Sequence, residues 1–143
     1  MNEYTMTDIQ NRIQSSFNAQ GLMQTLGARL LSAQEGEVQI ELPFSTALSQ
    51  QHGYAHAGAI TSVVDSACGY AALTLAPAGH EVVTAEFKTN FTRPAIGERF
   101  IATGRVETAG KTMTVCRGDV VAISGDSRKV VALMQATIVN VKV

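Results

Sequence analysis

From Gly58 to Leu75 the chain reads GAITSVVDSACGYAALTL, an almost unbroken apolar run that carries a single carboxylate, Asp65. The stretch Ala76-Pro77-Ala78-Gly79 follows at once and stops a helix there. A helix that is apolar nearly all round must be covered on every side. A membrane is not the expected cover, because Asp65 sits within the run and the mean hydropathy of the chain is only +0.09. The run predicts a buried central helix, and the rest of the chain has to wrap it.

The flanking sequence is suited to that task. Glu37, Gln39 and Glu41 alternate with Val38, Ile40 and Leu42, so the stretch from Ala28 to Leu42 is expected to form a first strand or hairpin that Pro43 ends. After the helix, Val83, Ala85, Phe87, Thr89 and Phe91 alternate with Thr84, Glu86, Lys88, Asn90 and Thr92. Further extended runs follow over Arg99 to Glu107, Lys111 to Ile123 and Lys129 to Val141, separated by Ala109-Gly110 and Ser124-Gly125-Asp126-Ser127. Four consecutive strands with short turns predict mostly antiparallel neighbours. Residues 5–19 show Met6, Ile9, Ile13 and Phe17 at helical spacing, with Thr7 or Asp8 as caps, and form a lid or brace within an N-terminal helical segment, residues 1–26. The expected class is α+β: one domain over residues 1–143, a curved antiparallel sheet around one long helix.

Charge and cysteine content narrow the function. The net charge of −1, with no block of Lys or Arg, offers nucleic acid no attraction. No basic residue lies between Arg29 and Lys88, so the central segment holds no cation for Asp65. Cys68 and Cys116 stand far apart, outside any zinc or disulfide spacing, and the polar N-terminus carries no apolar signal region; a reducing cytoplasm is the expected location. Charged residues make up only 16% of a small chain, which points to surface hidden in an oligomer.

Asp65 is the first candidate for chemistry. Its helical neighbours Thr61, Ser62, Cys68 and Gly69 cannot neutralise it, so burial should raise its pKa. Such a carboxylate is either hydrogen-bonded to a loop backbone or to a cation from the distant strands, or acts as a general base or nucleophile in a cleft. The helix start is the second candidate. Ala55, Ala57, Gly58 and Ala59 are small enough for a ligand to approach the first N–H groups, where the dipole favours developing negative charge. Ala57 and Asp65 are eight residues apart, about 12 Å along one helix. One chain therefore cannot aim both at one bond. If both serve one reaction, the donor comes from one helix and the acid from another, as in a twofold dimer with antiparallel central helices.

Other patterns carry less. His52 and His56 are spaced like metal ligands, but Gly53 weakens a helix there and no Glu follows as in His-Glu-x-x-His. No metal site is expected, and His56 is read as shaping the turn into the helix. The stretch from Gly104 to Thr112 has five residues between its glycines where a phosphate-binding loop requires four. Cys68 has no cation or helix start beside it to stabilise a thiolate and is read as a core residue.

Together HGYAHAG, Asp65 in the helix, VVTAEFKTNFTRPA, IGERF and the AGKT turn resemble the hotdog-fold acyl-CoA thioesterases of the PaaI type, over roughly Gln50 to Ile138. The resemblance implies a long helix wrapped by an antiparallel sheet, in homodimers that often assemble as homotetramers. It implies that Asp65 is the nucleophile or the base that activates water, and that the N–H of residue 57 polarises the thioester carbonyl. By the same resemblance Gln50 assists at the carbonyl, His56 precedes the helix, and Thr84 sits with the acid and orients water. Gln50, His56 and Ala57 would come from one subunit, Asp65 and Thr84 from the other. The family usually has Gly where this chain has Ala57; the N–H survives, with a methyl beside the carbonyl site. Thr84 lies opposite the apolar set in the strand alternation, so its role rests on the resemblance.

The expected activity is acyl-CoA hydrolysis with no metal or redox cofactor. Gly58 is a substrate-binding candidate at the helix start, and Arg93 and Lys111 stand at turns as CoA phosphate ligands or as solvated charge. Phe87, Phe91, Tyr54 and Tyr70 suit an aryl or a long-chain pocket equally. Two rivals use the same cleft: an acyl-thioester hydratase or dehydratase pairing His52 or His56 with Asp65, and a non-catalytic acyl-CoA sensor.

Overall fold

The computed structural model describes residues 5–143, so the first four residues of the N-terminal segment lie outside it. Its elements are α1 (Met6–Ala19), α2 (Gly21–Leu26), β1 (Arg29–Gln34), β2 (Glu37–Pro43), a short 3-10 turn (Thr46–Leu48), α3 (Ala57–Leu73), β3 (His80–Phe91), β4 (Arg99–Ala109), β5 (Met113–Ser124) and β6 (Ser127–Lys142). The six strands form one antiparallel sheet in the order β1-β2-β4-β5-β6-β3.

The central helix is covered as its composition demands. Ile60, Val63, Val64, Ala67, Cys68 and Ala71 are fully buried, and α3 packs against β2, β3, β4, β5 and β6. Each buried Val, Ile or Leu side chain contributes about 1.5–3 kcal/mol over an exposed one. Two glycines let the sheet come this close. Gly104 on β4 and Gly118 on β5 are register partners, and a Cβ at Gly104 would lie 2.4 Å from the backbone of Ala67. At Gly118 it would lie 2.6 Å from the Val64 side chain. The sheet therefore bends around the helix where it carries no side chain.

The amphipathic α1 is a brace. Ile9, Ile13 and Phe17 are buried, and the Phe17 and Tyr70 rings lie 6.2 Å apart. Arg12, on the polar side of α1, donates to the carbonyls of Leu73 (3.0 Å), Ala76 (2.9 Å) and His80 (2.7 Å). A guanidinium thus satisfies acceptors at the C-terminal end of α3, where positive charge is favoured. The α1 cap is Thr5, in a reciprocal capping box with Asp8, rather than Thr7 or Asp8 itself: Thr5 Oγ1 accepts from Asp8 N and Asp8 Oδ2 accepts from Thr5 N.

Two further expectations change. β3 and β4, joined across Pro94 to Gly97, are not neighbours; β3 pairs with β6 at the sheet edge, and β4 pairs with β2 and β5. The connection runs past the ends of β6 and β5, where Thr92 N donates to Val131 O and Glu98 N to Ile123 O. Three strand spacings are about 14 Å, well within reach of the seven residues from 92 to 98. The alternation along β3 is also broken, by a bulge between Thr84 and Glu86. Thr84, Phe87, Thr89 and Phe91 pair with Ile138, Ala136, Met134 and Ala132, all buried on β6. Thr84 therefore shares the helix-facing side with the later apolar residues instead of opposing them.

Candidate active site

Asp65, Thr84, Gln50, His56, Ala57 and Arg93, all singled out in the sequence, fall into two clefts at separate places along α3. The first, about 220 Å³, holds Asp65 and Thr84 together with Gln20, Ser66, Gly69 and Tyr70. Thr84 Oγ1 donates to Asp65 Oδ1 at 2.8 Å. The other oxygen, Oδ2, has no hydrogen-bond donor among the described residues, and no ion pair reaches Asp65 there. Burial raises the Asp65 pKa, and the Thr84 hydrogen bond offsets part of that rise. The result is a half-buried carboxylate with one oxygen held and one available.

The second cleft, about 420 Å³, lies at the start of α3 and is lined by Gln50, Tyr54, His56, Ala57, Phe91 and Arg93, among others. His56 is the N-cap: its Nδ1 accepts from Gly58 N at 2.7 Å. That bond requires the neutral tautomer with the proton on Nε2. A Cβ at Gly58 would sit 3.0 Å from His56 Nδ1, a tight contact that the histidine ring would have to shift to admit. Ala59 N turns back to His56 O, whereas the Ala57 N–H has no acceptor among the described residues. The local sequence thus leaves one donor at the tip of α3 open to a ligand.

Gln50 sits in the loop leading to this tip. Its side-chain carbonyl accepts from His52 N and its backbone N–H donates to Tyr54 O, so the amide NH₂ is the end left for a ligand. His52 is exposed, with its ring 6.3 Å from that of Tyr54. Among the described residues no group of three His, Cys, Asp or Glu side chains is close enough to hold a metal. Gly58, its N–H held by His56, lines a shallow groove beside Ser49 and Ser62. Lys111 lies at the β4–β5 turn outside both clefts, where its carbonyl accepts from the Asn140 side chain. The aromatic candidates divide: Tyr70 belongs to the Asp65 cleft, Tyr54 and Phe91 to the helix-start cleft, and Phe87, exposed on β3, lines neither. Cys68 and Cys116 are buried, and burial pushes both thiols up, away from reactivity.

Residues of the N-terminal segment line the Asp65 cleft without having been singled out. Gln20 Nε2 donates to Tyr70 Oη at 2.8 Å, Gln20 Oε1 accepts from Ser66 Oγ at 3.1 Å, and Ser16 Oγ lies 3.3 Å from Tyr70 Oη. Gln20 stands between α1 and α2, where no motif marks it. The only hint in the sequence is that the apolar stripe of α1 ends at Phe17, one turn before it.

Comparison with known proteins identifies the family and the fold. Residues 52–128 match the family model of the thioesterase superfamily. A candidate esterase of Saccharolobus solfataricus is 31% identical over 97 residues, spanning 68% of this chain and 69% of its own. A second candidate esterase, from Halobacterium salinarum, is 29% identical over 85% of this chain and 83% of its own. Among solved structures, a thioesterase family protein from Silicibacter pomeroyi superimposes with a TM-score of 0.91 at 41% identity, covering 93% of this chain and 98% of that one. The E. coli PaaI protein from the phenylacetic acid degradation operon, at 21% identity, shares the fold with a TM-score of 0.85 over 96% of each chain. The sheet wrapped around α3 is accordingly the hotdog fold. With more than half of its length matching the family model, the chain belongs to the thioesterase superfamily and is a hydrolase.

Proposed function

We propose that the protein hydrolyses acyl-CoA thioesters at a site completed by a second copy of the chain. The observation that carries this reading is the Asp65 carboxylate, half-buried, unpaired by any described cation and held at one oxygen by Thr84. A carboxylate so placed accepts a proton more readily than one in a salt bridge. In the proposed reaction Asp65 Oδ2 takes a proton from water as its oxygen attacks the thioester carbon, or attacks that carbon directly. The carbonyl oxygen gathers negative charge against the Ala57 N–H and the Gln50 amide. The C–S bond then breaks: in the water route the leaving thiolate takes the proton held on Asp65 and the acyl group is released as the free acid. In the direct route the acyl group stays on Asp65 as a mixed anhydride, which water cleaves to free acid and the Asp65 carboxylate, the released proton going to the thiolate. No step calls for a metal or redox cofactor.

Two features favour a second copy. Asp65 and the Ala57 N–H line separate clefts, about 12 Å apart along α3, so a single thioester cannot touch both groups of one chain. The outer edge of β3 has no partner strand among the described residues and exposes Phe87 and Phe91, which a twofold mate would cover while placing two α3 helices side by side. In that arrangement Gln50, His56 and Ala57 of one subunit face Asp65 and Thr84 of the other, and pairs of dimers form a homotetramer. Arg93, at the rim of the helix-start cleft, is the proposed contact for a CoA phosphate, with Lys111 as a second cation. Nothing in this scheme involves nucleic acid, and no helix of the described residues is long and apolar enough to cross a membrane.

Free-thiol release from short, long and aryl acyl-CoA esters tests the proposal. Wild type should release CoA from at least one class, and Asp65→Asn should fall by about a hundredfold or more while keeping its oligomeric state. Tight ester binding without thiol release from any ester would favour a sensor instead. Enoyl formation without thiol would favour the hydratase class.

A further inference from the structure

The Asp65 cleft is lined by two features that hydrolysis itself does not require, Gly69 and Gln20. Gly69 lies one turn beyond Asp65, about 6 Å along α3, inside a helix where glycine is unfavourable. A Cβ at Gly69 would meet nothing within 4 Å among the described residues, so packing against them gives no reason for its absence. Gly69 nonetheless lines the cleft. Beside it in the same cleft, Gln20 ties Ser66 and Tyr70, on either side of Gly69 along the helix, together through both ends of its amide. This wall is held from behind by the buried Ile9, Ile13 and Phe17 of α1 and by Arg12 on the end of α3. Ser66 and Tyr70 lie within the part of the chain that matches the family model, whereas Gln20 comes from a segment outside it.

We propose that the acyl group lies over Gly69 and stops at the Gln20–Ser66–Tyr70 wall, which makes Gly69 and Gln20 specificity-determining residues and limits the protein to short acyl groups. An alkyl chain that ran further would have to break the Gln20 bonds and leave polar groups without partners in a part-buried place. The inference rests on the acyl-CoA reading above for the identity of the ligand. It adds the end of the cleft at which the acyl group is measured.

The test uses non-hydrolysable thioether analogues of acyl-CoA, from acetyl to decanoyl, with the full chain as wild type, Gln20→Ala and Gly69→Ala. Wild-type affinity should rise with acyl length and then drop at a cut-off. Gln20→Ala should move that cut-off to longer chains, changing the long-to-short affinity ratio by about tenfold or more. Gly69→Ala should weaken binding of every analogue that carries an acyl chain while its melting temperature holds or rises, as expected for alanine in a helix. Loss of binding with gain of stability is a pairing that damaged folding cannot produce. An unchanged cut-off in Gln20→Ala, or Gly69→Ala that loses binding only by losing stability or its oligomer, overturns the inference and leaves the hydrolase reading intact. A cut-off that moves as expected in a protein that hydrolyses no thioester supports the inference and rejects the catalytic proposal. If wild type binds none of the analogues, both fall.

Discussion

Thr84 and Asp65 meet across the β3–α3 boundary, with Thr84 Oγ1 donating to Asp65 Oδ1 at 2.8 Å. The contact exists because a bulge after Thr84 resets the strand, turning a threonine that simple alternation points away onto the helix-facing side. A hydroxyl that donates to one carboxylate oxygen stabilises the ionised acid and still has lone pairs to accept from water.

The pH dependence of hydrolysis follows from this pair. Burial raises the Asp65 pKa above its ordinary value of 3.8, and Asp65 acts as the anion, so kcat/KM should fall on the acid side at a higher pH than an ordinary carboxylate gives. Thr84→Val removes the interaction that lowers this pKa, so its acid limb should move to still higher pH. Its rate at neutral pH should drop roughly tenfold, the equivalent of one charge-assisted hydrogen bond of about 1.5 kcal/mol. Stability has its own dependence. A folded-state pKa above the unfolded one means the folded protein binds the proton more tightly, so Asp65 lowers stability as pH rises through that interval. Asp65→Asn should therefore melt at a higher temperature than wild type at neutral pH and lose that advantage in acid. An unshifted acid limb in Thr84→Val would remove Thr84 from the site.

Ala57→Pro deletes one N–H and little else. Proline is favoured at the first helical position, and His56, with φ −65° and ψ 139°, already has the backbone that a residue before proline adopts. Stability should hold, and kcat should fall by about 10²–10³, the usual loss of one oxyanion donor. Thermal melts alongside steady-state kinetics check both halves. Undiminished activity would mean that the carbonyl oxygen sits elsewhere.

Gly104→Ala tests what bends the sheet. Its methyl would lie 2.4 Å from the Ala67 backbone, which has no side chain to swing away. The destabilisation should reach or exceed the upper end of the 1–3 kcal/mol typical of overpacking, read as a lowered urea midpoint with unchanged m-value. A midpoint like that of wild type would show that the sheet is free to move off α3.

The architecture was legible wherever a single physical demand controlled the residues. An all-apolar helix needs wrapping, so Gly58 to Leu75 implied a curved sheet before any strand was placed, and the observed α3 ends at Leu73. Asp65 stood out because no neighbour of its own helix can pair with it. Strand order was less legible, because Pro94 to Gly97 looks like a hairpin turn although the chain uses it to pass the ends of two strands. The helix-facing side of Thr84 was hidden by the bulge, a one-residue insertion that no residue type announces. Gln20 was invisible for a different reason: its role comes from where α1 docks, and an amphipathic stripe reveals that a helix docks without showing what its last turn will touch.

The most direct measurement of a shared active site uses heterodimers of Asp65→Asn and Ala57→Pro, isolated with two affinity tags. If the donor and the acid of each site come from different subunits, one site in such a heterodimer combines an intact Ala57 with an intact Asp65, and the other carries both defects. The account predicts that thioester hydrolysis, nearly absent from either parent homodimer, recovers to about half of wild type per dimer. Heterodimers no more active than their parents would contradict it, placing both groups of a site in one chain or excluding one of them from the reaction.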